Sequence, residues 1–176
     1  MKDISMHIMD ILQNSTRAGA KTVELSLLID TKKDTLTLIF KDNGCGMDKT
    51  TMDKVLSPFF TTRTTREVGL GLSLLKQNAE LTGGTLSISS ELGVGTTVTT
   101  IMGYSHIDRQ PLGDIAGTVV LTASAYPNIR FIFHYKKDDT DYLFDTQEVN
   151  EALEGISIQE PEVIQYLKEM IINNIS

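Results

Sequence analysis

Asp42-Asn43-Gly44-Cys45-Gly46-Met47 follows directly on the run Thr35-Leu36-Thr37-Leu38-Ile39-Phe40-Lys41, and its reading decides the fold. Period-two alternation marks residues 35–41 as a strand with one buried face. The Asp-Asn-Gly that comes next is good turn chemistry. Two glycines one residue apart permit positive φ and a close approach of backbone to a ligand. Two readings stand: a plain strand-ending turn, or a loop shaped around a bound molecule. A Gly-x-Gly alone does not choose between them. Cys45, with no base placed for it, reads as a small filler.

Working backwards, residues 22–30 alternate as a second strand, joined to the first by a turn at Lys32-Lys33-Asp34. Residues 4–18 have helical periodicity. At 100° per residue Ile4, Ile8, Ile11, Leu12 and Ser15 form the core side, while Asp10, Asn14 and Arg17 converge on the other. That side is either a solvated helix face or a site for a metal–phosphate group. Asn supplies an oxygen to magnesium, Arg neutralises phosphate, and Asp polarises a water. His7, about 60° from the Asp10 side, reads as a structural or pocket-edge histidine.

Working forwards, residues 49–57 suggest a short helix followed by Pro58, and 70–82 a helix ended by Gly83. Val68-Gly69-Leu70-Gly71-Leu72 opens that helix, and a glycine-rich lead into a helix N-terminus suits an anion. Pro58-Phe59-Phe60-Thr61-Thr62-Arg63-Thr64-Thr65-Arg66 lies between as a polar loop with donors that suit phosphate. Residues 84–90 and 95–102 read as two strands joined at Gly93.

Each signal is weak alone; their order is not. Asp10-x-x-x-Asn14, DNGCGM, PFFTTR, GLGL and ELGVGTTVT resemble the N box, first glycine box, F box, second glycine box and closing strand of the GHKL ATPase superfamily. That superfamily takes in gyrase-type topoisomerases, the ninety-kilodalton heat-shock chaperones, sensor histidine kinases and MutL-type repair proteins. The resemblance covers about residues 1–103. PFFTTR, GLGL and the closing strand are most similar to the histidine-kinase branch, and the first helix to the MutL branch.

The resemblance implies an α/β sandwich of Bergerat type: a mixed sheet covered on one face by helices, with ATP and magnesium held on the helical side. It implies that Asn14 coordinates the metal and that Arg17 contacts phosphate. Asp42 would accept from the adenine amino group, with Thr96 supporting that site and Gly44 and Gly46 admitting the base. Gly69, Leu70, Gly71 and Leu72 would offer amides to phosphate, and Thr61, Thr62, Arg63 and Arg66 would form the lid. Asp10 stands where hydrolysing members usually carry Glu and many kinases carry Asn. A carboxylate there favours activating a water or a substrate hydroxyl, which makes Asp10 the candidate catalytic residue. The lid, Asp48 to Val68, has only 21 residues.

The chain has 176 residues, 40% of them apolar, which suits one domain and a small appendage. Ten of the 13 glycines fall in residues 1–103. Charge divides at the same place: residues 1–103 are neutral, while 104–176 carry five Lys and Arg against twelve Asp and Glu, the whole net charge of −7. Two units are expected, 1–103 and 104–176, joined through the polar stretch Gly103 to Gly117. The second offers a strand at 118–124, a hairpin at 129–135 and 141–145, a helix from Asp145 to near Gly155 and another from Pro161. That last helix is expected to pack on the unit's own small sheet. Lys136 and Lys137 open a turn that reads as solvated; the other reading is the lysine that a second domain brings to the terminal phosphate in gyrase-like and MutL-like members.

Acidity argues against nucleic acid and anionic membrane as partners. One cysteine excludes an internal disulfide and any multi-cysteine metal site. No apolar run approaches the ~18 residues of a membrane span, and the N-terminus lacks a signal-peptide pattern, so a cytoplasmic protein is expected. Ahead of the N box no helix carrying a phosphoacceptor histidine is expected. The expected function is therefore an ATP-driven switch with slow hydrolysis, acting on a protein partner that docks through a basic surface. The alternatives are a protein kinase acting on a separate protein and a non-catalytic ATP sensor. A homodimer is a further option.

Overall fold

The computed structural model describes residues 2–56 and 66–176, the backbone alone for 66–70. Six strands form one sheet: β1 (Thr22–Asp30), β2 (Thr35–Asp42), β3 (Thr85–Glu91), β4 (Gly95–Gly103), β5 (Arg130–Lys137) and β6 (Thr140–Asp145), in the order β3-β4-β2-β1-β5-β6. Among the described residues only β1 and β5 pair in parallel, from Thr22 beside Arg130 to Ile29 beside Lys137. The sheet is thus mixed, as expected.

Alternation sets its two faces. Val23, Leu25, Leu27 and Ile29 of β1 and Leu36, Leu38 and Phe40 of β2 are buried beneath helices. Between them lie half-buried residues such as Ser26, Leu28, Thr37 and Ile39, on the opposite face. The β1–β2 turn is held by Asp30, whose Oδ1 accepts from Lys32 N and Lys33 N, both at 3.0 Å.

Helix α1 (Ile4–Arg17) is capped by Asp3, which accepts from Met6 N at 2.9 Å, and buries Ile4, Ile8, Ile11 and Leu12. Helix α2 (Lys49–Val55) is short, and α3 (Arg66–Leu81) lies beside α1. The start of α3 falls four residues before the position periodicity suggested, so the Gly69–Gly71 pair lies inside the helix.

The region after Gly103 departs further from expectation. The run at 118–124 is no strand: it belongs to helix α4 (Ile115–Ala125), nine of whose eleven residues are buried. A short apolar run carries no usable period, and its β-branched residues pointed the wrong way. Burial between α1, β5 and α6 (Pro161–Ile175) overrides that preference. Asp114 caps α4 through Gly117 N at 2.8 Å, and the Thr122 hydroxyl donates to the Thr118 carbonyl at 2.8 Å. The hairpin β5–β6 forms as expected but builds no small sheet of its own; it continues the sheet from β1. Helix α5 (Thr146–Leu153) follows β6, and α6 packs on α4 and β6.

Candidate nucleotide site

A cavity of about 230 Å³ opens between α1, the end of β2, β4 and α3, lined by Asn14, Arg17, Asp42, Gly46, Leu72 and Thr96 among others. Six of the residues picked out in the sequence are thereby brought together from four elements and the loop after β2.

Asp42 is the last residue of β2. Its Oδ1 accepts from Gly44 N at 2.9 Å, and its Oδ2 accepts from the Ser15 hydroxyl at 2.7 Å. An ionised carboxylate offers about four lone-pair positions, so acceptor capacity remains toward the cavity. Thr96 sits opposite Asp42 in the β2–β4 register. Its hydroxyl lies 2.7 Å from the Ser90 hydroxyl, which also accepts from Met47 N at 2.8 Å. Ser15 and Ser90 were missed as site residues. Ser15 did leave a signal, a hydroxyl on the apolar side of α1 that needed a partner. Ser90 left none, because its role depends on the β3–β4 register.

Gly46 has φ +73°, and a Cβ there would fall 2.0 Å from the Glu91 carbonyl oxygen. Its glycine is thus demanded by the neighbouring strand, and it also lines the cavity. Gly44 is buried and does not line the cavity; a Cβ there would sit 2.8 Å from that of Ala18. Cys45 is exposed and lines the cavity, so it is no internal filler.

On α1, both amide atoms of Asn14 are buried without a hydrogen-bond partner. Buried polar groups are nearly always paired, and an unpaired one calls for a reason. An amide oxygen beside a cavity is the donor type a magnesium ion takes, so Asn14 fits the metal that the sequence implied. Asp10 lies one turn before Asn14, against α3: a Cβ on Gly71 would fall 1.7 Å from Asp10 Oδ2. Only glycine lets α3 pass so close to this carboxylate. Leu72 is buried and lines the cavity with its side chain.

Because α3 begins at Arg66, the amides without helical partners end at residue 68. The second glycine box, Gly69 to Leu72, lies beyond them, with its amides inside the helical ladder. Arg66 and Leu70 are placed by backbone alone, and Thr61, Thr62 and Arg63 lie outside the described residues. Lys136 and Lys137 stand far off. Lys137 pairs with Ile29 and Asp42 with Val23, a separation of roughly 20 Å along β1 at ~3.3 Å per residue. Lys137 instead reaches over the Tyr104 ring, 5.7 Å from its centroid.

His7 is 1% exposed, which bears out a structural position. Burial pushes its imidazole below the ordinary value, opposed by its hydrogen bond to Gln110.

The chain belongs to the family described as histidine kinase-, DNA gyrase B-, and HSP90-like ATPases, whose family model matches residues 2–104. It is 29% identical over 94 residues to the sensor histidine kinase YvrG of Bacillus subtilis, covering 51% of this chain and 16% of that one. Against the signal transduction histidine-protein kinase AtoS of Escherichia coli it is 31% identical over 96 residues, covering 54% of this chain and 16% of that one. The match thus takes in about one sixth of each kinase. The Aquifex aeolicus MutL ATPase domain complexed with ADP superposes with a TM-score of 0.52 at 15% identity, over 88% of this chain and 68% of that one. Its fold is therefore the Bergerat-type sandwich. Among the described residues no helix is long and apolar enough to cross a membrane.

Proposed function

We propose that the chain binds ATP with magnesium in this cavity, hydrolyses it slowly, and acts as an ATP-driven switch on a protein partner. The observation that carries this is the Asn14 amide, buried and unpartnered beside a cavity whose other wall presents Asp42. Burying an amide unpaired costs about 1–3 kcal/mol, and a ligand that pairs it recovers that cost.

Asp42 would take the adenine amino group, with Ser15 and Gly44 fixing the carboxylate's orientation. Asn14 would hold the magnesium, which when bound neutralises phosphate charge. Arg17, exposed at the mouth, would meet the phosphates. Asp10 would accept the proton of a water as that water's oxygen bonds to the terminal phosphorus and the bond to the ADP oxygen breaks. The acidic residues 104–176 suit a partner with a basic surface.

The test is turnover of γ-labelled ATP. Asp10→Asn is expected to abolish release of labelled phosphate, a loss of ~100-fold or more for a proton acceptor, with ATP affinity kept. Affinity lost together with turnover would make Asp10 a purely structural residue. The sensor-kinase relatives favour a second reading, phosphoryl transfer to a separate protein. Label appearing on an added protein rather than as free phosphate would select it.

A further inference from the structure

Residues 103–117, a plain connector by sequence, grip the first helix. Ile4 N donates to the Pro111 carbonyl and Ser5 N to the Leu112 carbonyl, both at 2.9 Å. These are first-turn amides that the helix itself leaves without partners. Gly113 has φ +75°, and a Cβ there would fall 2.5 Å from Asp3 Cγ and 2.6 Å from the Ser5 hydroxyl oxygen. The next residue, Asp114, caps α4. The chain thus passes from the start of α1 to the start of α4 with no slack between them.

One side chain of this segment reaches inward. His7 Nε2–H donates to Gln110 Oε1 at 2.8 Å. Asn78 of α3 lies beside the same ring, its Nδ2 3.4 Å from Nε2, and gives a hydrogen to the Leu74 carbonyl at 3.2 Å. His7 Nδ1 is buried with no partner. The ring is therefore oriented through Nε2 alone. His7 and Asp10 are three residues apart on α1 and so are neighbours on one face. Asn78 and Gly71 are seven apart on α3, two turns along the same side. Among the places where α1 and α3 meet are Gly71 under the Asp10 carboxylate and Asn78 beside His7.

We propose that Gln110 is a positioning residue for Asp10: through His7 it fixes how α1 lies on α3, and so couples the nucleotide site to the segment that leads into the C-terminal helices. The proposal rests on the role given to Asp10 above. Without the Gln110 oxygen, Nε2–H is left buried and unpaired, the ring turns to find an acceptor, and the seam loosens. Gln110 does not line the cavity, so its loss acts on rate through placement. Nucleotide affinity, set by Asp42 and its neighbours, stays.

Two variants of the full chain test this. Gln110→Ala is expected to lower kcat about tenfold, within the reach of a sub-ångström misplacement, while the dissociation constant for magnesium-ATP stays within about twofold. Gln110→Glu keeps an acceptor oxygen at the same reach and is expected to restore kcat to within about twofold of wild type. A purely structural role would lower affinity and rate together and would not be rescued. Hydrogen exchange supplies a readout independent of hydrolysis. Magnesium-ATP is expected to slow exchange in residues 104–114 of the wild type, and to leave it unchanged in Gln110→Ala. Full kcat in Gln110→Ala, failure of Gln110→Glu to restore it, or no nucleotide-linked change at 104–114 in the wild type overturns the proposal. A wild type that binds ATP without turnover overturns the role of Asp10 instead, and exchange at 104–114 then decides the coupling by itself.

Discussion

Asp42 and Asp145 end two strands of the same sheet in the same way, and only one of them is a site. Each accepts from the amide two residues on, Gly44 N at 2.9 Å and Gln147 N at 3.0 Å. They part at the remaining positions. Asp145 is 6% exposed and takes Arg130 in a fork, Nε at 3.2 Å and the terminal nitrogen at 2.7 Å. Asp42 takes a neutral serine hydroxyl and faces a cavity. One carboxylate is neutralised and closed; the other keeps its charge and spare lone pairs on the ligand side. A shared turn geometry therefore says little about role, and the partner of the second oxygen says most.

The comparison can be broken by experiment. Asp145→Ala removes a charge-assisted hydrogen bond and the cap of α5, and is expected to cost about 3 kcal/mol of stability in urea titration while leaving nucleotide affinity unchanged. Lost affinity would join the two ends into one site. Asp42→Asn is expected to weaken nucleotide binding by about 2 kcal/mol, roughly 30-fold, in calorimetry, with stability changed by less than about 1 kcal/mol. Unchanged affinity would sink the nucleotide reading. Asn14→Ala removes two buried unpartnered atoms and places a better helix former, so the nucleotide-free protein should gain about 1 kcal/mol and lose the magnesium-dependent part of its affinity. A loss of stability would mean that the amide is paired in solution. The smallest effect is in pH. Its hydrogen bond to Arg130 holds the Asp145 carboxyl below its ordinary 3.8. The stability this contributes is complete above that value and drains away as pH falls through the lower folded value, because the unfolded chain takes up the proton first. Asp145→Asn should flatten the stability curve below about pH 4; a curve of unchanged slope would deny the pairing.

The sequence displays one of these two carboxylates and conceals the other. Asp42 stands in a run of turn residues after an alternating strand, and motif order marks it. Asp145 could be read only as a helix cap, since Arg130 lies 15 residues away on a neighbouring strand. The same distinction holds across the molecule. Strands β1 to β4 and α1 announce themselves through period, whereas α4 is apolar on all sides and has no period to read. Ser15 was visible as an odd hydroxyl on an apolar stripe, but Ser90 and Gln110 act through register and chain path, which no local pattern encodes. Gly71 was singled out for phosphate; what the structure shows of it is the close approach of α3 to the Asp10 carboxylate.

The parallel seating of β5 on β1 has a consequence for the chain while it is being made. About 100 residues separate the end of β1 from the start of β5. At ~5–20 residues per second, β1 leaves the ribosome some 5–20 s before the strand that will cover its outer edge. For that interval Thr22 to Asp30 present a row of amides and carbonyls to any passing strand. The polar turn residues at Asp30 to Asp34 and the antiparallel closure of β2 are available at once to hold one side. The other side must wait for nearly the rest of the chain.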